Sequence, residues 1–170
     1  MAEYKMEQKD FVPHPPGPSE GICYGVEDLG EVPGFGGDLQ HKLIIKFESI
    51  KHFQLDEMGV ADPQQPYTIW YRCTLAGGKQ ANLRKIREKM MGRPLTGKEA
   101  YNFDDGEVLD VRIGYVVAHR VSEEGRTWAN ISPDGIWRLD DQTKGTRVND
   151  LESGRREVTA GGADDRDLPF

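Results

Sequence analysis

The sequence predicts a mainly β protein: a small five-stranded barrel with one helix between strands 3 and 4, and disordered segments at both ends. Three observations carry this. Five stretches have strand-like apolar patterning, one stretch of helical spacing interrupts them after the third, and both ends are rich in polar, Gly or Pro residues. The 170 residues suffice for one core, which divides the chain into an extended segment over 1–20, a folded domain over 21–139 and a tail over 140–170.

Residues 13–21, PHPPGPSEG, hold too much Pro and Gly for a helix or central strand and read as an extended lead-in. Strands are expected over 21–32, 41–50, 66–76, 108–120 and 126–138. Successive side chains of a strand point to opposite faces of its sheet, so alternation separates an inner set from an outer one. In the second strand Leu43, Ile45 and Phe47 form an apolar row, with Lys42, Ile44, Lys46 and Glu48 opposite. In the third, Tyr67, Ile69, Tyr71, Cys73 and Leu75 align, leaving Thr68, Trp70, Arg72 and Thr74 on the other side. Val111, Ile113, Tyr115 and Val117 form the inward set of the fourth strand, with Arg112 and Arg120 opposite. In the fifth, Thr127, Ala129 and Ile131 point inward, with Arg126, Trp128 and Asn130 outward.

The helix is expected over 80–91, where Leu83, Ile86, Met90 and Met91 follow the spacing of a buried stripe. Arg84, Lys85 and Lys89 face away from the stripe. Arg87 falls inside the apolar sector, so it must snorkel outward or meet a partner. Gly92 and Pro94 end the helix. Five strands with a helix after the third is the element order of the OB-fold, a small Greek-key barrel that often binds oligonucleotides, and other small β-barrels fit the same count.

Composition narrows the function. The net charge of -7 argues against a nucleic-acid binder until its distribution is considered, because both flanks carry more acid than base. Residues 79–98 form a local basic patch, with Lys79, Arg84, Lys85, Arg87, Lys89, Arg93 and Lys98 against Glu88 alone. No apolar run approaches the ~20 residues that cross a bilayer, and the N-terminus lacks a secretory stretch, so a cytoplasmic location and no membrane partner are expected. Cys23 and Cys73 have neither CxxC spacing nor clustered histidines, which signals buried thiols rather than a zinc site.

Catalysis and cofactors find no positive support. Gly77-Gly78-Lys79 lacks the further residues of a phosphate loop, and the scattered His14, His41, His52 and His119 suggest no triad. Asp104, Asp105, Glu107 and Asp110 crowd one stretch as a metal-dependent nuclease would require, yet without a supporting histidine or a calcium-loop order they read as a solvated loop. No metal site is expected.

The outward sets supply what single-stranded DNA requires: a positive groove for its backbone and aromatic faces for its bases. The candidate surface is Lys42, Lys46, Trp70, Arg72, Arg112, Arg126 and Trp128, extended by Lys79, Arg84 and Lys85 of the basic helix. In the competing arrangement Trp70 and Trp128 pack under the helix or a loop.

The sequence after Leu139 is polar and ends in ADDRDLPF. Acidic residues followed by an apolar residue, Pro and Phe are suited to capture, with a pocket taking the Phe170 ring and basic residues pairing with its carboxylate and with Asp164, Asp165 and Asp167. Over residues 164–170 the chain resembles bacterial single-stranded-DNA-binding proteins, although Arg166 interrupts the acidic run. The rest looks like OB-fold early proteins encoded by bacteriophages, with WANISPDGIW similar to their closing strand. The resemblance implies coating of single-stranded DNA without strong sequence preference during replication, recombination or repair. It also implies docking of partner proteins of those processes on Asp164, Asp165, Asp167, Leu168, Pro169 and Phe170, in a bacterial cell. A homo-oligomer is compatible with it. An acidic tail tethered beside a basic face would also compete with DNA for that face. The alternative is a protein-interaction adaptor with the same barrel and no DNA affinity.

Overall fold

The structure is a computed structural model of the chain, and it describes residues 12–34, 36–139 and 147–149. Its elements in order are β1 (Gly17–Pro33), β2 (Leu39–Leu55), β3 (Ala61–Thr74), α1 (Asn82–Met91), α2 (Gly97–Ala100), a 3-10 turn (Asp105–Glu107), β4 (Arg112–Val121), β5 (Thr127–Asn130), a second 3-10 turn (Pro133–Gly135) and β6 (Ile136–Arg138). The described strands form one antiparallel sheet in the order β3-β2-β1-β4-β5, with β6 paired to β4.

Strand β1 organises the sheet by serving two partners. Its first part, Gly17 to Ile22, pairs with Val117 to Arg112 of β4, and from Gly21 onward it pairs with β2. Bulges between Cys23 and Gly25 and between Asp28 and Gly30 bend it between these tasks, since an extra residue on one strand increases the local twist. Gly21 sits where the pairings overlap, and a Cβ there would lie 2.6 Å from the Glu48 carbonyl oxygen and 2.8 Å from the Tyr115 ring. Only glycine admits that approach.

The core lies on one side of the sheet. Leu43, Ile45 and Phe47 of β2, Ile69, Tyr71 and Cys73 of β3, and Ile113, Tyr115 and Val117 of β4 pack there with Ile131, Ile136 and the α1 residues Leu83, Ile86 and Met90. Most of the inward sets that alternation assigns are found there, and the middle of β2 is buried on its other face as well, at Ile44, Lys46 and Glu48. Leu75, in the expected inward row of β3, is instead 42 % exposed beyond the strand's end. Cys23 and Cys73 are buried free thiols, and burial pushes the thiol pKa of each up to about 12.

Arg87 has its partner. The side chain is 1 % exposed and forms a two-pronged ion pair with Glu107, with Nε–Oε2 at 2.7 Å and Nη2–Oε1 at 2.8 Å. Its guanidinium also donates to the carbonyls of Ala100, Glu99 and Asn102. One buried cation therefore ties α1 to α2 and to the 3-10 turn that leads into β4. Gly92, in the left-handed region at φ 72, closes α1 by donating to the Glu88 carbonyl.

Several expectations need adjustment. Six strands are described where five were expected, because Pro133–Gly135 interrupts the last stretch and β6 resumes the pairing further along β4, at Ile113–Tyr115 on the edge opposite β1. Helix is not confined to α1, since Thr96 and Glu99 form a reciprocal capping box that starts α2. Among the described residues the ladder is open between β3 and β5, so their hydrogen bonding does not close a barrel. The ordered fold begins ahead of residue 21, with β1 starting at Gly17 and His14 buried. Within the tail expected to be disordered, Arg147 and Asn149 are anchored on the sheet. No described helix is long and apolar enough to cross a membrane.

Candidate nucleic-acid interface

The face turned away from the core is defined by the register. Lys42 lies opposite Thr74, Ile44 opposite Arg72, Lys46 opposite Trp70 and Glu48 opposite Thr68, and on the other flank Ile22 pairs with both Glu48 and Arg112. Directly paired residues share a face. Lys42, Lys46, Trp70, Arg72 and Arg112 therefore stand on one surface.

Trp70 and Lys46 form its centre. The indole N–H of half-buried Trp70 donates to the Tyr24 hydroxyl at 2.7 Å, and the Lys46 Nζ lies 4.0 Å from the ring centroid. Lys46 also pairs with Glu27 at 3.0 Å and is 4 % exposed. Cation, ring and hydroxyl fix one another, so the indole face is held in one orientation. Lys42 donates to the Thr74 hydroxyl at 2.5 Å, which draws it toward β3.

Other expected members are distributed differently. Arg126 lies over Trp128 at 5.2 Å, but Trp128 is 4 % exposed. It takes no part in the core cluster, and pairs across the strand with Arg120. Arg84 and Lys85 lie on α1, and Lys79 in the turn ahead of it; the buried residues of α1 pack on the core side of the sheet, opposite the Trp70 surface. Arg84 is committed to structure there, since it pairs with Glu88 and donates to the carbonyls of Gly77 and Leu95.

Sequence reasoning missed several members. Trp137 is 42 % exposed and lies across Gly114, where an added Cβ would meet its ring at 2.0 Å. Gly114 is two residues from Arg112, so Trp137 extends the outer face with a second aromatic. A single strand over 126–138 hid this, because the Pro133–Gly135 turn resets the alternation. The Glu48 carboxylate, 2 % exposed, accepts the backbone N–H groups of Val148 and Asn149 and the Asn149 side-chain N–H. Arg147 donates to the Tyr24 carbonyl at 3.1 Å and pairs with Asp110 at 3.2 Å. Contacts at such sequence separation leave no trace in local patterning.

The carboxylates of the 104–110 stretch go to separate tasks. Asp104 caps the Gly106 N–H, Glu107 holds Arg87 and Asp110 holds Arg147. Among the described residues no group of three His, Cys, Asp or Glu gathers where it could hold a metal ion. Asp164, Asp165, Asp167, Leu168, Pro169 and Phe170 lie outside the described residues.

Compared with known proteins, the chain matches no protein-family model and no curated sequence.

Proposed function

We propose that this chain binds single-stranded DNA on the outer face of an OB-type sheet. The observation that carries the proposal is the Lys46–Trp70 pair, an aromatic ring held rigid on a face that also bears Lys42, Arg72 and Arg112. Single strands are bound by that combination of base stacking and backbone neutralisation, and Trp137 adds a second ring. An open path of strands around a shared β1, with α1 between β3 and β4, agrees with a partly open Greek-key barrel.

The more particular proposal is a bacterial or phage-encoded protein that coats single strands in the cytoplasm during replication, recombination or repair. Its Asp164–Phe170 segment then recruits partner proteins of those processes. The fold domain binds without strong sequence preference, because stacking and phosphate contacts read little of the base.

A titration of tryptophan fluorescence with a dT oligonucleotide at two salt concentrations, with a duplex of equal length as control, tests the proposal. Salt-sensitive quenching by the single strand alone is expected. Binding of neither nucleic acid would leave the adaptor.

A further inference from the structure

We infer that residues 147–149 form a displaceable strap, seated on Glu48, that occupies the proposed nucleic-acid face until single-stranded DNA takes its place. The inference rests on the function proposed above. Its first support is position. Arg112, Ile22, Glu48 and Thr68 form one cross-strand row, and Lys46 and Trp70 stand in the row about 7 Å along β2, two residues at strand rise. A strand running from Arg112 to Trp70 must cross the place where Val148 and Asn149 sit.

The second support is the chemistry of the seat. Both oxygens of Glu48 are occupied by strap donors, two of them successive backbone N–H groups and the third the Asn149 amide. Asn149 is fully buried and Glu48 nearly so. All three donors are neutral, so salt screening does little to release the segment, in contrast to an acidic tail held by a basic patch. A second anchor lies at Arg147, which bridges the Tyr24 carbonyl and Asp110. Asp110 is the one described non-glycine residue at positive φ, at 65°, and its N–H is held by the Cys23 carbonyl. The strap thus crosses β1 beside Tyr24, whose hydroxyl orients Trp70.

Displacement also sets how DNA lies there. Once uncovered, the Glu48 carboxylate needs hydrogen-bond donors, which base edges and water provide and phosphates do not. The single strand therefore crosses this point with its bases toward the sheet, the orientation that stacking on Trp70 requires.

Asn149→Asp places a carboxylate against Glu48 and gives an unambiguous sign, because it adds negative charge to a DNA-binding protein. The full-length variant is expected to bind a dT oligonucleotide on the order of five- to tenfold more tightly than wild type, since a blocked face lowers apparent affinity by its open fraction. Equal or weaker binding would overturn the inference while leaving DNA binding intact, and absence of binding by both proteins would remove the proposed function along with it. Hydrogen exchange on the wild-type chain gives an independent measurement. The Val148 and Asn149 amides are expected to be protected in the free protein and to lose protection at saturating oligonucleotide, and retained protection in the complex would overturn the strap.

Discussion

Lys46 stands 4.0 Å above the ring of Trp70 while its ammonium reaches Glu27 at 3.0 Å, so a buried charge on an outer strand face is balanced by one aromatic and one carboxylate. The arrangement keeps a lysine that is 4 % exposed from being an unpaired buried cation, which would be costly. It also fixes the ring on which a base would lie.

Trp70→Ala is expected to weaken binding of a dT oligonucleotide by about 1–3 kcal/mol, the range for one lost base stack, with Trp70→Phe retaining most of it. Trp137→Ala should cost less, because that ring lies at the margin of the face. Fluorescence anisotropy on a labelled oligonucleotide checks both, and undiminished affinity of Trp70→Ala would remove the ring from the site.

Arg87→Met should destabilise the fold by about 3–5 kcal/mol, the usual cost of removing one partner of a buried ion pair. The substitution strands Glu107 and the carbonyls that the guanidinium satisfies on the 99–102 segment. Urea unfolding measures it, and a midpoint close to that of wild type would show that solvent replaces those bonds.

Acid should loosen the N-terminal attachment. Burial lowers the pKa of His14 from 6.5 to about 4, with nearby His52 and His119 adding repulsion, while the neutral ring donates to the Pro15 carbonyl and accepts from the Tyr115 hydroxyl. Between pH 6.5 and 4 the unfolded chain carries a proton that the folded chain lacks. The contribution is therefore fully present above pH 6.5 and declines as pH falls through that window, by about 3 kcal/mol in total. His14→Gln should flatten this part of the stability profile, and an unchanged slope between pH 7.5 and 4.5 would assign it to other groups.

Two glycines should respond oppositely to alanine. At Gly21 a methyl group meets the Glu48 backbone and the Tyr115 ring, so a loss of about 1–3 kcal/mol is expected. At Gly78 nothing lies within 4 Å and φ is not positive, so alanine should be neutral or stabilise by up to ~1 kcal/mol. Thermal melts of the two variants compare them directly.

Much of the fold was legible because the core-side residues of each strand recur with a period of two. Leu43, Ile45 and Phe47 declare their side whatever the strand pairs with, and Lys46, Trp70 and Arg72 are placed on the opposite side by the same rule. Leu83, Ile86 and Met90 declare α1 through helical spacing. The basic helix was misleading for a related reason: spacing shows which residues leave the apolar stripe, and Arg84 left it to hold carbonyls rather than solvent.

The sequence by itself determined the mainly β class, most of the inward rows of β2, β3 and β4, a helix after the third strand and the placing of Trp70 opposite those rows, because these follow from local periodicity. Tertiary structure alone decided that β1 is shared between β2 and β4, that Trp137 joins the outer face and that Arg87 is answered by Glu107. It alone brought Asn149 onto Glu48 across the sheet. Such pairings are chosen by hydrogen-bond geometry between segments far apart in the chain, and a residue's neighbours in sequence carry no information about them.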